Sequence, residues 1–140
     1  MLVKSLRVLL MVALLTAIAV QPLAAAAKTV TIKVTFVSED LVSNDSVGNE
    51  WETQVLINGK AVAAGDSIKL TLKPSELVKL EATAIEQDKI PDVGTANKSF
   101  KASTVTSGKK HTLDVKVVEN RGRYSGNAAK WKFVFQVEKA

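Results

Sequence analysis

The stretch WETQVLINGKAVAAGDSIKLTL, residues 51–72, decides the fold. Trp51, Thr53, Val55 and Ile57 alternate with Glu52 and Gln54, the period of two that belongs to a half-buried strand. Asn58-Gly59 follows, and both residues tolerate the positive φ that a two-residue hairpin turn requires. A short return, Lys60–Ala63, runs into a turn at Gly65-Asp66, after which Ile68, Leu70 and Leu72 alternate again. A helix would place apolar residues three and four apart, and here they fall two apart.

Outward from this hairpin the same period holds. Val30, Ile32, Val34 and Phe36 precede it, and Val78, Leu80, Ala82 and Ala84 follow it. Phe100 and Ala102, then Leu113, Val115 and Val117, then Trp131, Phe133, Phe135 and Val137 complete the set. Eight short strands with a turn signal about every ten residues predict an all-β fold, an antiparallel β-sandwich. Trp51, Phe36, Phe100, Trp131, Phe133 and Phe135 are the expected core aromatics.

The start of the chain follows a different plan. Lys4 and Arg7 precede an apolar run at 8–20 (VLLMVALLTAIAV), then Gln21-Pro22 and a run of alanines end it. That is the pattern of a secretory signal peptide, with cleavage expected after Ala26 or Ala27; the run is short for a membrane span of about 20 residues. The expected organisation is therefore residues 1–27 as a cleaved signal peptide and residues 28–140 as one sandwich domain. Removing the first 27 residues, which carry two bases and no acid, lowers the length from 140 to 113 and the net charge from +5 to +3. So mild a balance gives no argument for nucleic acid. With no Cys and one His, the chain has no disulfides, no thiol chemistry and no Cys-ligated zinc.

Strand parity makes a geometric prediction. Connections after alternate strands emerge at one end of the sandwich, here Ser38–Asn49, Ala64–Asp66, Glu86–Asn97 and Glu119–Asn127. These loops hold most of the carboxylates. Glu86, Asp88 and Asp92 share one loop, and Glu39, Asp40, Asp45 or Glu119 could complete a shell. Carboxylates without His or Cys are ligands for a hard cation, calcium above all; the other reading is a set of solvated loop acids. The stretch Ala84-Ile85-Glu86-Gln87-Asp88 with Asp92-Val93-Gly94 resembles the calcium loop of the C-two family, the calcium- and lipid-binding sandwiches of protein kinase C and synaptotagmin. The resemblance implies Glu86, Asp88 and Asp92 as calcium ligands, with Glu86 standing where an Asp is usual.

Arg121 and Arg123, the only arginines after residue 27, lie in the loop Glu119–Asn127 beside Tyr124. Arg121, Arg123, Tyr124 and Asn127 suit a recognition loop for a protein, a cell-wall polymer or a glycan. Alternatively, Arg121 or Arg123 pairs with Glu86, Asp88 or Asp92, which would compete with a cation. His111 is expected at the end away from the acids, too far for a Ser–His–Asp constellation. Lys28, Lys33, Lys130 and Lys132 read as a solvated face guarding edge strands, or as a strip attracted to an anionic wall or membrane surface. The sequence therefore predicts a secreted or cell-envelope module, non-catalytic and monomeric, possessing calcium as its one candidate cofactor. An edge-strand assembly protein and a small hydrolase are the alternatives.

Overall fold

The computed structural model describes residues 28–140, so the signal segment lies outside the described residues. Eight strands form two four-stranded antiparallel sheets stacked as a sandwich. They are β1 (Val30–Asn44), β2 (Trp51–Ile57), β3 (Lys60–Ala61), β4 (Ser67–Leu72), β5 (Leu77–Glu86), β6 (Asp92–Lys101), β7 (Lys109–Val118) and β8 (Ala128–Lys139). One sheet has the order β4-β1-β8-β7 and the other β3-β2-β5-β6. The Asn58-Gly59 turn forms as the sequence predicts, with φ of 47° and 79°. The Asn58 side chain also stitches the turn to β5, accepting from the Lys79 N–H at 2.7 Å and donating to the Leu77 carbonyl at 3.0 Å.

The alternating residues do face the core. Ile32, Val34, Val55, Ile57, Val78, Leu80, Val115 and Val137 are buried. At its centre Phe36 packs on Phe135 and Phe133, with ring centroids 5.5 and 6.2 Å apart. The other three expected core aromatics sit at the margins, half-buried. Trp51 meets Trp131 edge to face at 5.6 Å, and Phe100 stacks on His111 at 4.5 Å. His111 is thus a buried residue near the start of β7 rather than a turn residue.

Three expectations change. First, β1 does not end at Phe36; it continues to Asn44 along β8, with register shifts at Phe36/Ser38 and Leu41/Ser43. Each bulge inserts one residue and resets which side chains face inward. Glu39 thereby lies opposite inward-facing Phe133, and Asp40 opposite outward-facing Lys132. Second, β6 starts at Asp92, so the fifth connection shrinks to residues 87–91. Third, β1 and β8 are the two central strands of their sheet, so Lys33, Lys130 and Lys132 guard no edge. Lys33 pairs with Glu138 at 3.8 Å, and Lys132 has Asp40 and Asp114 as its cross-strand neighbours.

The parity argument survives in direction. Residues 45–50, 87–91 and 119–127 share one end, fixed by the pairs Asn44–Ala129, Trp51–Glu86 and Val118–Ala128. The turn at Gly65-Asp66 stops halfway, hydrogen-bonded to Phe36. At the opposite end Ile32 pairs with Lys139, and the Ala140 N–H bonds the Thr31 carbonyl at 3.0 Å.

Candidate metal centre

Glu86 and Asp92 are the last paired residues of the β5–β6 ladder, directly opposite each other. Asp88 lies between them in the connecting loop. One carboxylate oxygen from each of the three lies within 4.8 Å of the others. Among the described residues no other group of three acids or histidines comes together in this way. Glu86 and Asp92 are only 3% and 2% exposed, whereas Asp88 is open to solvent.

Each carboxylate is held by one oxygen. The Glu50 N–H donates to Glu86 Oε1 at 3.4 Å, and the Ile90 N–H to Asp88 Oδ1 at 2.8 Å. Asp92 Oδ1 accepts from the Asn120 N–H at 3.3 Å and from Asn120 Nδ2 at 3.1 Å. The remaining oxygens of the two buried groups, Glu86 Oε2 and Asp92 Oδ2, have no partner at all. A buried carboxylate oxygen without a donor costs free energy. Burial pushes the Glu86 carboxyl above the usual carboxylate range, and the charges of Asp88, Glu50 and Asp92 push the same way; the Glu50 N–H opposes them. Two like charges opposite each other on a ladder are destabilising as well.

The turn between β1 and β2 builds one wall of this site. Asn44 braces it, Nδ2 donating to the Gly48 carbonyl at 2.6 Å and Oδ1 accepting from the Val47 N–H at 3.0 Å. Trp51 Nε1 donates to the same Gly48 carbonyl at 3.2 Å. Gly48 has φ of 150°, and the Glu86 carboxylate occupies the space that a Cβ would need. Only glycine lets this backbone approach the carboxylate so closely. Asn120 and Gly48 escape a reading by residue type, because an Asn and a Gly in polar loops look like ordinary turn chemistry.

Of the seven acids expected as ligands, only Glu86, Asp88 and Asp92 come together; Glu119 Oε1 instead accepts from the Arg121 N–H at 3.2 Å. Glu39 and Asp40 belong to β1 rather than to a loop, and Glu39 Oε2 accepts from Thr53 Oγ1 at 2.8 Å. Asp45 is exposed in the turn after β1 and lies outside the group. The arginines do not neutralise the trio. Among the described residues neither Arg121 nor Arg123 lies within 4.0 Å of a carboxylate; the one ion pair is Lys33–Glu138. Arg123 lies over the Tyr124 ring at 5.7 Å, and both are exposed. Arg121 lines a shallow crevice of about 330 Å³ with Asp88, Lys89 and Ile90. Asn127 closes this loop through its backbone, accepting from the Glu119 N–H and donating to the Tyr124 carbonyl.

No protein-family model matches the chain, and a comparison with curated proteins finds no match.

Proposed function

We propose that this chain is an exported, non-catalytic binding and structural module of the cell surface or envelope, whose acidic end is set by calcium. The observation that carries this reading is the pair of buried, unpartnered oxygens, Glu86 Oε2 and Asp92 Oδ2, on two carboxylates that cluster with Asp88. Each carboxylate keeps one oxygen on a backbone or Asn120 donor and leaves the other for a cation. The donor set is oxygen only, which suits a hard ion, and three carboxylates spread over two strand ends and their connecting loop suit calcium's flexible coordination better than magnesium's rigid octahedron. The ion would remove the repulsion between Glu86 and Asp92 and tie residues 86–92 to Asn120 and Gly48. The exposed Arg121, Arg123 and Tyr124 beside it would then form the recognition surface. His111, buried against Phe100 far along β7 from the acids, has no part in this reading, which therefore includes no catalysis.

Terbium luminescence tests it. Trp51 is the cross-strand neighbour of Glu86, close enough to sensitise a terbium ion held there. Excitation of tryptophan should give terbium emission that calcium displaces, and millimolar calcium should raise the melting temperature. Asp88→Asn should abolish both effects while leaving the fold intact. Absence of emission and of any melting shift in the parent protein would sink the proposal.

A further inference from the structure

β1 outruns its outer neighbour. β4 pairs with it only from Val30 to Thr35, and the Gly65-Asp66 turn caps Phe36. From Val37 to Asn44 β1 is paired with β8 alone. Across the sandwich, β3 covers only the end of β2, so Trp51–Gln54 is open as well. The Thr53–Glu39 hydrogen bond links these two bare edges. An uncovered strand edge is a template for another strand. Among the described residues three of the seven exposed large hydrophobics fall on this one segment: Val37 at 39%, Leu41 at 37% and Val42 at 58%. Its guards are the two bulges and the acids Glu39 and Asp40 alone. β4 carries Lys69, β6 Lys98 and Lys101, and β7 Lys109, Lys110 and Lys116, but Val37–Asn44 contains no Lys, Arg or Pro.

We propose that a second copy of this chain docks here, β1 against β1 and antiparallel, on a two-fold axis at Leu41. The register argues for this occupant. Leu41 and Glu39 share a face with Trp131 and Phe133, while Asp40 and Ser43 share the other with Lys132 and Lys130. Paired strands must match residues of the same face. An axis at Asp40 would set two carboxylates opposite each other. An axis at Leu41 pairs Leu41 with its own copy, Asp40 with Ser43, and Glu39 with Asn44. The bulge residue Val42 is skipped in each copy, because two residues of a bulge oppose one on the facing strand. Faces then agree on both sides of the axis, no acid meets an acid, and Asn44 can donate to Glu39. A bulge usually protects an edge by twisting it; skipping it would also match faces about an axis at Ser43, but that axis sets Asp40 against Asp45. The two sheets of order β4-β1-β8-β7 would join through their β1 strands, in place of the single copy that the sequence suggests.

The chain contains no cysteine, so Leu41→Cys introduces its only thiol, and two thiols on the axis would lie within disulfide reach. The purified protein should sediment as a dimer at about 100 μM, above the micromolar constant typical of a small interface. Leu41→Cys should oxidise to a single cross-linked dimer, while an exposed control, Ser75→Cys, stays largely monomeric. Val42→Lys should weaken the dimer at least about tenfold without lowering the melting temperature. The proposal is overturned by a parent protein that remains monomeric with Leu41→Cys oxidising no faster than the control. It is also overturned by a dimer indifferent to Val42→Lys, or by a monomer that captures an extended peptide of alternating Lys and Val on this edge.

Discussion

Glu86 and Asp92 oppose each other on the final rung of the β5–β6 ladder, both carboxyls buried and each with one oxygen lacking a partner. Loop acids that merely keep a surface soluble would face water. These two are turned away from it, beside a glycine whose missing side chain makes room for one of them.

Replacing Glu86 by Gln separates the cost of this pair from its use. Without added ion, Glu86→Gln should stabilise the protein by up to about 1 kcal/mol, because a like-charge cross-strand pair is removed. The Gln carbonyl still accepts from the Glu50 N–H. In saturating calcium the order should reverse, with the parent melting higher than the variant. Melting curves with chelator and with millimolar calcium check both signs; a variant less stable than the parent under chelator would show that the charge pair is not strained.

Two glycines should respond differently to Ala. At Gly94 a Cβ would collide with the Lys116 carbonyl where β6 meets β7, so the edges of the two sheets must part. Overpacking of this kind costs about 1–3 kcal/mol, several degrees of melting temperature. At Gly48 the collision is with the Glu86 carboxylate, at a φ that disfavours any side chain. Gly48→Ala should therefore displace Glu86 and lose the terbium signal, whereas Gly94→Ala should lower stability with and without ion. Equal loss of terbium signal in both variants would overturn this division.

His111 gives a pH dependence at the opposite end of the sandwich. Burial holds the imidazole below its usual range, and Lys98 and Lys109 add to the effect. The folded state thus binds the proton less readily than the unfolded chain. Its contribution to stability is fully present above the ordinary histidine pKa, about 6.5, and is lost as pH falls through the lowered folded value. The raised Glu86 carboxyl acts with the opposite sign, so the test is the difference: from pH 7 toward pH 5 the parent should lose stability relative to His111→Phe, which retains a ring against Phe100. A parallel slope in the variant would assign the dependence to other groups.

The hairpin at Asn58-Gly59 and the alternation around it were legible because each depends on local geometry alone. So was the gathering of Asp45, Glu86, Asp88, Asp92 and Glu119 at one end, which follows from counting strands, whereas Glu39, Asp40 and Asp66 fall short of it. The Phe36/Ser38 bulge was not, because the facing of Glu39 depends on its register with Phe133, nearly the whole domain away in sequence. Asp92-Val93-Gly94 reads as loop by residue type, with Pro91 before it and a glycine within it. In the fold Gly94 is there for the close approach of Lys116, and Asp92 is buried as a ladder residue. Nor does sequence tell whether Arg121 turns toward Asp92. The Asn120 side chain takes that place instead.

The pairing of Ile32 with Lys139 places both ends of the described chain side by side, at the pole opposite residues 87–91 and 119–127. A tether attached before Lys28 or after Ala140 would therefore leave the sandwich by the same pole. Fixed to a support from either side, the domain would stand upright with Asp88, Arg121 and Tyr124 at its outermost tip. A fluorophore or affinity tag at one end would report on events at that tip without obstructing them.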